Sequence, residues 1–454
     1  MADATLIDPR IGAHRRRAEL GLVLLAGVIT SAAYVLASLG KNASIPARIG
    51  PFLAFVVGLL VIAHVAVRAM ARGADPLILP MAAFLHGIGY VMIARLSTHL
   101  AGLQATWSLI GVGAFVATLL VVDRVGDLRR WKYTCLALGI ALLVMPMVPG
   151  LGFTSGGARI WVSVGPINFQ PGEFAKILLA IFFAAYLDER RKLVVENSSG
   201  TSLGSALTLR DLVPILAAWA VSVVVMVGEK DLGSSLLFFT LFVVLLWLAT
   251  EKTGYLVIGL GLFAAGAVAA YNMFGHVRTR VTIWLDPWPL YTTKGYQPIQ
   301  ALFSMANGGI TGTGLGLGSP QAVPAAHNDF IFAAVAEELG LVGATAVLAA
   351  FVLMVGAGMR TALRTNRDFE KLLAAGLTTI LGVQAFIIIG GVVRVVPLTG
   401  VTLPFMSYGG SSLVANYVLL ALLVRISDST ARSLYEVTDE PGVLDRLRIR
   451  RLGA

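Results

Sequence analysis

The strongest constraint on this chain is the recurrence of apolar stretches about as long as a bilayer is thick. A helix crossing the hydrocarbon core, about 30 Å deep, needs about 20 mainly apolar residues. Twelve candidate spans meet or approach that requirement. The first six are Glu19–Leu39, Pro51–Val67, Pro76–Ala94, Thr106–Val122, Tyr133–Val148 and Glu173–Leu187. The others are Leu212–Val227, Leu232–Ala249, Leu256–Met273, Phe330–Val355, Leu372–Gly390 and Ser412–Val424. Lipid offers backbone N–H and C=O groups no partners, so such spans have to be helical. The expected fold is an all-α polytopic membrane protein of about twelve transmembrane helices. Composition agrees, with 57% of residues hydrophobic and 13% charged, against about 45–50% and about 25% in soluble domains. No polar stretch is long enough for a separate globule, so residues 1–454 are read as one membrane domain.

A net charge of +10 would suit a nucleic-acid partner only if it formed one stripe. Basic residues instead cluster in short connections, such as Arg15-Arg16-Arg17 and Arg190-Arg191-Lys192. Loops facing anionic membrane lipids on the cytoplasmic side look like this, and no nucleic-acid partner is expected. With the N-terminus inside, roughly 25 of the 35 Lys and Arg fall on the cytoplasmic side, in line with the positive-inside rule. An even number of spans then returns the C-terminus to the cytoplasm. There residues 428–454 form a short basic tail carrying Arg446, Arg448, Arg450 and Arg451. The first apolar run has no small-residue cleavage site after it and reads as a retained helix. The single cysteine, Cys135, can make neither an intramolecular disulfide nor a cysteine metal site.

Two expected outer connections exceed what topology requires. The first, 149–172, carries GARIWVSVGPINFQPGEFAK. The second, 274–329, contains WLDPW, GYQPIQ and GGITGTGLGLGSPQ. Loops this long are usually functional or disordered, and their density of Trp, Tyr, Phe and Pro disfavours disorder. Several chemistries fall away. No HExxH pair or GxxxxGK[ST] occurs, and the glycines 312, 314, 316 and 318 lack a dinucleotide fold around them. They read as a flexible or closely packed loop, and no organic cofactor is expected. Ser407, in PFMSYGGSS, has no adjacent base that would make it a nucleophile, and small-residue packing explains it better.

Ionisable groups in or beside apolar spans are costly and mark cavities or internal ion pairs. Glu173 and Lys176 open the sixth span three residues apart, on one helical face. They could form an internal salt bridge or contact substrate. Asp231, in KDLGSS, could simply cap the eighth span. Asp329 heads the tenth span, where capping alone would also account for an Asp. Capping would not account for a carboxylate delivered to the membrane boundary by the longest outer loop. Glu337 and Glu338 lie two to three turns deeper and need a counter-ion, for which Arg394 is a candidate. Arg159 is a second outer cation, suited to phosphate through its planar fork of donors.

At these residues the chain resembles the SEDS family (shape, elongation, division and sporulation), whose members include RodA and FtsW. Four blocks in the family's order carry the resemblance: GARIWVSVGPINFQPGEFAK, KDLGSS, NDFIFAAVAEELGLVGA and GVVRVVPLTGVTLPFMSYGGSS. The resemblance implies a peptidoglycan glycosyltransferase of the bacterial cytoplasmic membrane. Its substrates would be lipid II and lipid-linked glycan, its partner a class B penicillin-binding transpeptidase. Asp329 would be the catalytic base, with Arg159, Glu173, Lys176, Asp231, Arg394 and Ser407 around the substrate. A divalent cation, Mg or Mn, could help to neutralise the pyrophosphate. The short tails favour the elongation (RodA-type) branch over the division (FtsW-type) branch. Five spans precede GARIW where shorter members have three, so residues 1–148 contain an apparent extra pair. Gly172 and Lys230 stand where the family usually has Ser and Pro. A rival reading is a lipid II flippase, which would also show many spans and buried charges.

Overall fold

The structure, a computed structural model, describes residues 9–44, 49–155, 158–165, 167–197 and 231–438, with part of 213–229. Its helices are α1 (Pro9–Asn42), α2 (Ile49–Met70), α3 (Ile78–Leu96), α4 (Thr98–Val121), α5 (Lys132–Val144), α6 (Gly172–Asn197) and α7 (Leu232–Thr250). There follow α8 (Gly254–Met273), α9 (Gly275–Leu285), α10 (Tyr296–Gly308), α11 (Ile331–Arg364), α12 (Asp368–Val392) and α13 (Gly410–Thr438). Among the described residues, nine helices are long and apolar enough to cross a membrane. The fifth expected span is only the 13-residue α5 with a short 3-10 turn after it. The sixth is α6, which carries Glu173 in its first turn. The seventh, 212–227, lies largely outside the described residues, as do 439–454 with their arginines.

α12 and α13 form the centre of the bundle, buried along most of their length by α3, α4, α6, α7 and α11. α8 is at the periphery, with Val257, Leu260 and Met273 exposed as lipid-facing residues would be. α1 and α2 are tied together by Glu19, whose carboxylate meets both His64 and Arg68.

Both long connections are structured. The first is a small antiparallel sheet, β1 (Gly152–Ser155), β2 (Ala158–Val164) and β3 (Ile167–Phe169). Val164 pairs with Ile167 across a two-residue turn, and Gly165 takes the positive φ that such a turn needs. An all-helical expectation missed this sheet because three short strands leave little periodic signal. The second connection folds into α9 and α10.

The tenth span differs from the expectation in one important respect. α11 is broken at Gly340, which has φ 66° and ψ −166°. A break inside an apolar helix strands backbone groups that lipid cannot satisfy. Here the glycine-rich loop satisfies them. Thr313 and Gly314 donate to the carbonyls of Glu337 and Glu338 (2.9 and 3.1 Å), while Leu341 and Val342 donate to those of Gly309 and Ile310 (3.0 and 3.1 Å). A Cβ on Gly312 or Gly340 would overlap the other segment's backbone, so both positions require glycine. The glycine run is thus a closely packed loop docked on a helix break.

Candidate active site

Asp329 sits two residues before the start of α11, at the rim of a cavity of about 540 Å³. That volume is within the range usual for small-molecule sites. α9 supplies Arg280, Ile283 and Trp284 to its wall, and Lys294 and Arg394 also line it, so three cations share the cavity with one carboxylate. The Asp329 side chain does not cap α11: the N-cap position is Phe330, and it makes no side-chain capping bond. Among the described residues the Asp329 carboxylate accepts no hydrogen bond, which leaves it available to a ligand. Arg280 comes close to it, since a Cβ built on Gly400 would lie 3.8 Å from both Arg280 Nη2 and Asp329 Oδ2. Burial pushes the Asp329 carboxyl up to about 6. Arg280 opposes that rise and Asp231 adds to it. The Arg280 guanidinium is itself lowered by burial, with both aspartates opposing the shift, and it donates to the Thr399 carbonyl (2.7 Å).

Two neighbours fix where Asp329 points. Ser407 Oγ donates to the Asn328 carbonyl (2.7 Å) and accepts from the Leu403 N–H (2.9 Å). The Tyr408 N–H donates to the His327 carbonyl (2.8 Å). Ser407 is therefore buried as a clamp on the residues just before Asp329. Ser407→Ala should lower catalytic turnover by about tenfold while leaving expression intact, because a small displacement of a reacting group is costly. An unchanged turnover number would remove Ser407 from the site.

The other sequence candidates fall into three places. Arg394 lines the cavity and closes the end of α9, donating to the carbonyls of Trp284 (2.7 Å) and Leu285 (3.0 Å). Trp284 Nε1 returns a bond to the Arg394 carbonyl (2.9 Å). Arg394 is therefore not the counter-ion of the deeper glutamates. Arg95 fills that role, with Nε 3.0 Å from Glu338. Glu338 also accepts from the Gly316 N–H (2.9 Å), and Glu337 accepts from the Ser319 N–H (2.7 Å) and from Ser304 Oγ. Both glutamates hold the glycine loop, and Glu337 also ties it to α10 through Ser304. Distance along the chain hid the Arg95 pairing.

Asp231 caps α7, accepting from the Ser234 N–H (3.2 Å) and hydroxyl (2.5 Å), and its carboxyl is raised by burial. Glu229, which the sequence reading passed over, lies beside it and is pushed up to about 8 by burial and by Asp231. At neutral pH it adds little charge to the site. Arg159 faces away from the cavity, toward the carbonyls of Val148 (3.4 Å) and Gly152 (3.5 Å), although its neighbour Ala158 lines the wall. Glu173 and Lys176 form a buried network, with Lys176 Nζ 2.6 Å from Glu173 Oε2 and 2.7 Å from Gln384 Oε1. The Gln384 amide donates in turn to the Thr402 carbonyl (2.8 Å). That network runs beneath the segment holding Gly400, behind the cavity wall and not within it. Arg280 is the main residue missed by sequence reasoning. It lay in a connection expected to be irregular, and only α9 aims it at Asp329.

The fold and cavity together define a multi-pass membrane protein with an anion-suited pocket at one end of the bundle. Residues 77–432 match the FtsW/RodA/SpoVE family of cell cycle proteins, and the chain belongs to that family. It is 48% identical over 435 residues to the peptidoglycan glycosyltransferase RodA of Mycobacterium bovis, covering 92% of each chain. It is 32% identical over 372 residues to a probable peptidoglycan glycosyltransferase FtsW of Geobacter metallireducens, covering 78% of this chain and 94% of the other. A solved structure concerned with coordination of polymerization and crosslinking by a peptidoglycan synthase complex superposes with a TM-score of 0.65 at 26% identity. That match covers 79% of this chain and 98% of the other.

Proposed function

We propose that this protein is a peptidoglycan glycosyltransferase of the elongation type, which polymerises lipid II at the outer face of the cytoplasmic membrane. The observation that carries the reading is Asp329, a carboxylate that accepts no hydrogen bond among the described residues and lines one cavity with the cations Arg280, Lys294 and Arg394. A sugar hydroxyl of one lipid II attacks the anomeric carbon of a lipid pyrophosphate-linked glycan, with inversion. The new C–O bond forms as the bond from the anomeric carbon to phosphate oxygen breaks. The hydroxyl proton passes to Asp329, and the pyrophosphate leaves with the bonding electrons. A hydroxyl is a weak nucleophile, so a positioned base matters. The leaving group needs charge compensation, which the three cations are placed to supply.

Among the described residues no group of three or more His, Cys, Asp or Glu is placed to hold a metal. A Mg or Mn ion would therefore take most of its oxygen ligands from the pyrophosphate and water, and Asp329 is the one carboxylate lining the cavity that could join them. Arg159, Glu173, Lys176 and Asp231 then shape the walls and ends around the cavity instead of touching the reacting atoms. Support for a class B penicillin-binding partner comes from the synthase complex to which the fold is similar.

The test is polymerisation of lipid II by purified protein in detergent, with and without a cognate class B transpeptidase, read as glycan ladders on a gel. Arg280→Gln should cut kcat/KM by about 10²-fold, the usual cost of losing a positioned charge. A protein that moved lipid II between leaflets of vesicles and left it unpolymerised would be a flippase instead.

A further inference from the structure

Residues 1–76, with the whole of α1 and α2, lie outside the segment that matches the family. The C-terminal end of α1 nevertheless lies directly on the glycine-rich loop. A Cβ built on Gly40 would overlap the Leu315 carbonyl oxygen and come within 3.1 Å of the Gly316 backbone. In the reverse direction, a Cβ on Gly316 would overlap the Ala37 carbonyl oxygen and lie 2.8 Å from the Lys41 nitrogen. Backbone meets backbone here only because both sides have glycine. Lys41 Nζ adds a bond to the Arg95 carbonyl (2.9 Å), while the Arg95 guanidinium donates to the carbonyls of Gly316 (3.2 Å) and Gly318 (2.9 Å). One further close contact joins α1 to α3, where a Cβ on Gly87 would overlap the Thr30 hydroxyl.

From there the contacts run unbroken to the reacting carboxylate. The loop held by α1 supplies the N–H groups that satisfy Glu337 and Glu338. Those residues form the last turn of the short helical segment before the Gly340 break. That segment opens at Ile331, two residues after Asp329. Fewer than three turns of helix separate Asp329 from Glu338, and both faces of the break are bonded to the loop. A shift of the loop therefore moves the segment that carries the base.

We propose that the C-terminal end of α1 is a positioning element of the catalytic site, with Gly40 and Lys41 as its positioning residues. It holds the glycine loop against Arg95 and Glu338 and so sets the place of Asp329. The inference rests on Asp329 being the base. It gives α1 a role in the reaction itself beyond membrane anchoring.

The experiment compares the full chain with Gly40→Leu, which wedges the contact, and with the milder Lys41→Met and Lys41→Arg. Hydrogen–deuterium exchange in micelles is read over 309–319 and 327–340, with 372–390 in α12 as an internal control. Gly40→Leu and Lys41→Met should speed exchange in the first two segments and leave the control unchanged. Lipid II polymerisation should lose about tenfold in kcat for Gly40→Leu, the scale of a misplaced reacting group, with KM within about twofold of wild type. Lys41→Arg should restore what Lys41→Met loses. Unchanged exchange in both segments, or faster exchange in all three, would overturn the proposal, as would wild-type kcat in Gly40→Leu. If the wild-type chain does not polymerise lipid II at all, the functional reading fails, while the exchange pattern still decides whether α1 positions the Asp329 segment.

Discussion

Asp329→Asn is expected to abolish polymerisation, by about 10²-fold or more, while the purified protein becomes no less stable and still binds lipid II. The change removes basicity and little else, because the Asp329 carboxylate caps no helix and accepts no protein hydrogen bond among the described residues. The pH dependence follows from its raised carboxyl at about 6. As a base it works only when ionised, so wild-type turnover should rise through pH 6 and level off above it. At pH 5 roughly a tenth of the plateau rate should remain, because one pH unit below the pKa leaves about a tenth of the groups ionised. The stability effect has the opposite sign. A carboxyl raised on folding favours the folded state when protonated, so its contribution is present below about pH 4 and is lost as pH rises through 6. At pH 7 the ionised Asp329 is a net cost, which Asn does not incur. The melting temperature of Asp329→Asn should therefore equal or exceed that of wild type at pH 7, and the two should converge near pH 4. A mutant that polymerises at the wild-type rate would move the search for a base to Asp231 or Glu173.

Lys176→Met is expected to have the largest effect on stability. Lys176 is 2% exposed and Glu173 4%, and each is the other's ionic partner. Removing the ammonium leaves the buried Glu173 carboxylate with no ion-pair partner among the described residues, a change that typically costs about 3–5 kcal/mol. That is a large part of the roughly 5–15 kcal/mol by which most domains are stable. Glu173→Gln alone strands the ammonium and should also be severe. The double variant Glu173→Gln/Lys176→Met removes both charges, so its loss should be well below the sum of the singles. Monodisperse yield after graded heating measures the cycle. Additive losses would mean that the two groups act separately, and the pair would then return to the list of substrate contacts.

The membrane class, the family and most spans are legible in the sequence, because lipid permits so few backbone solutions. Twenty apolar residues can do little except form a helix. The glycine run was equally readable as a packed loop, yet nothing local indicated what it packs against. Asp329 stood out because an ionisable group at the end of a long connection needs a reason to be there. Its setting did not. Arg280 and Arg394 reach the same cavity from connections 114 residues apart in the chain, and Arg95 finds Glu338 across an even longer interval. Arg159 and Lys176 looked like substrate contacts from their motifs, and packing turned both away from the cavity.

Hydrophobic length and charge asymmetry are properties of short segments and act before the chain is folded, so the sequence by itself determined a helical membrane protein with a carboxylate at one boundary. Which cation meets which carboxylate depends on the approach of segments far apart in sequence. So does the break at Gly340, which is tolerated only because the glycine loop arrives to satisfy its stranded backbone groups. Those pairings, and with them the shape and charge of the cavity around Asp329, were decided by tertiary structure alone, because buried charge and unsatisfied backbone cost too much to be left without partners.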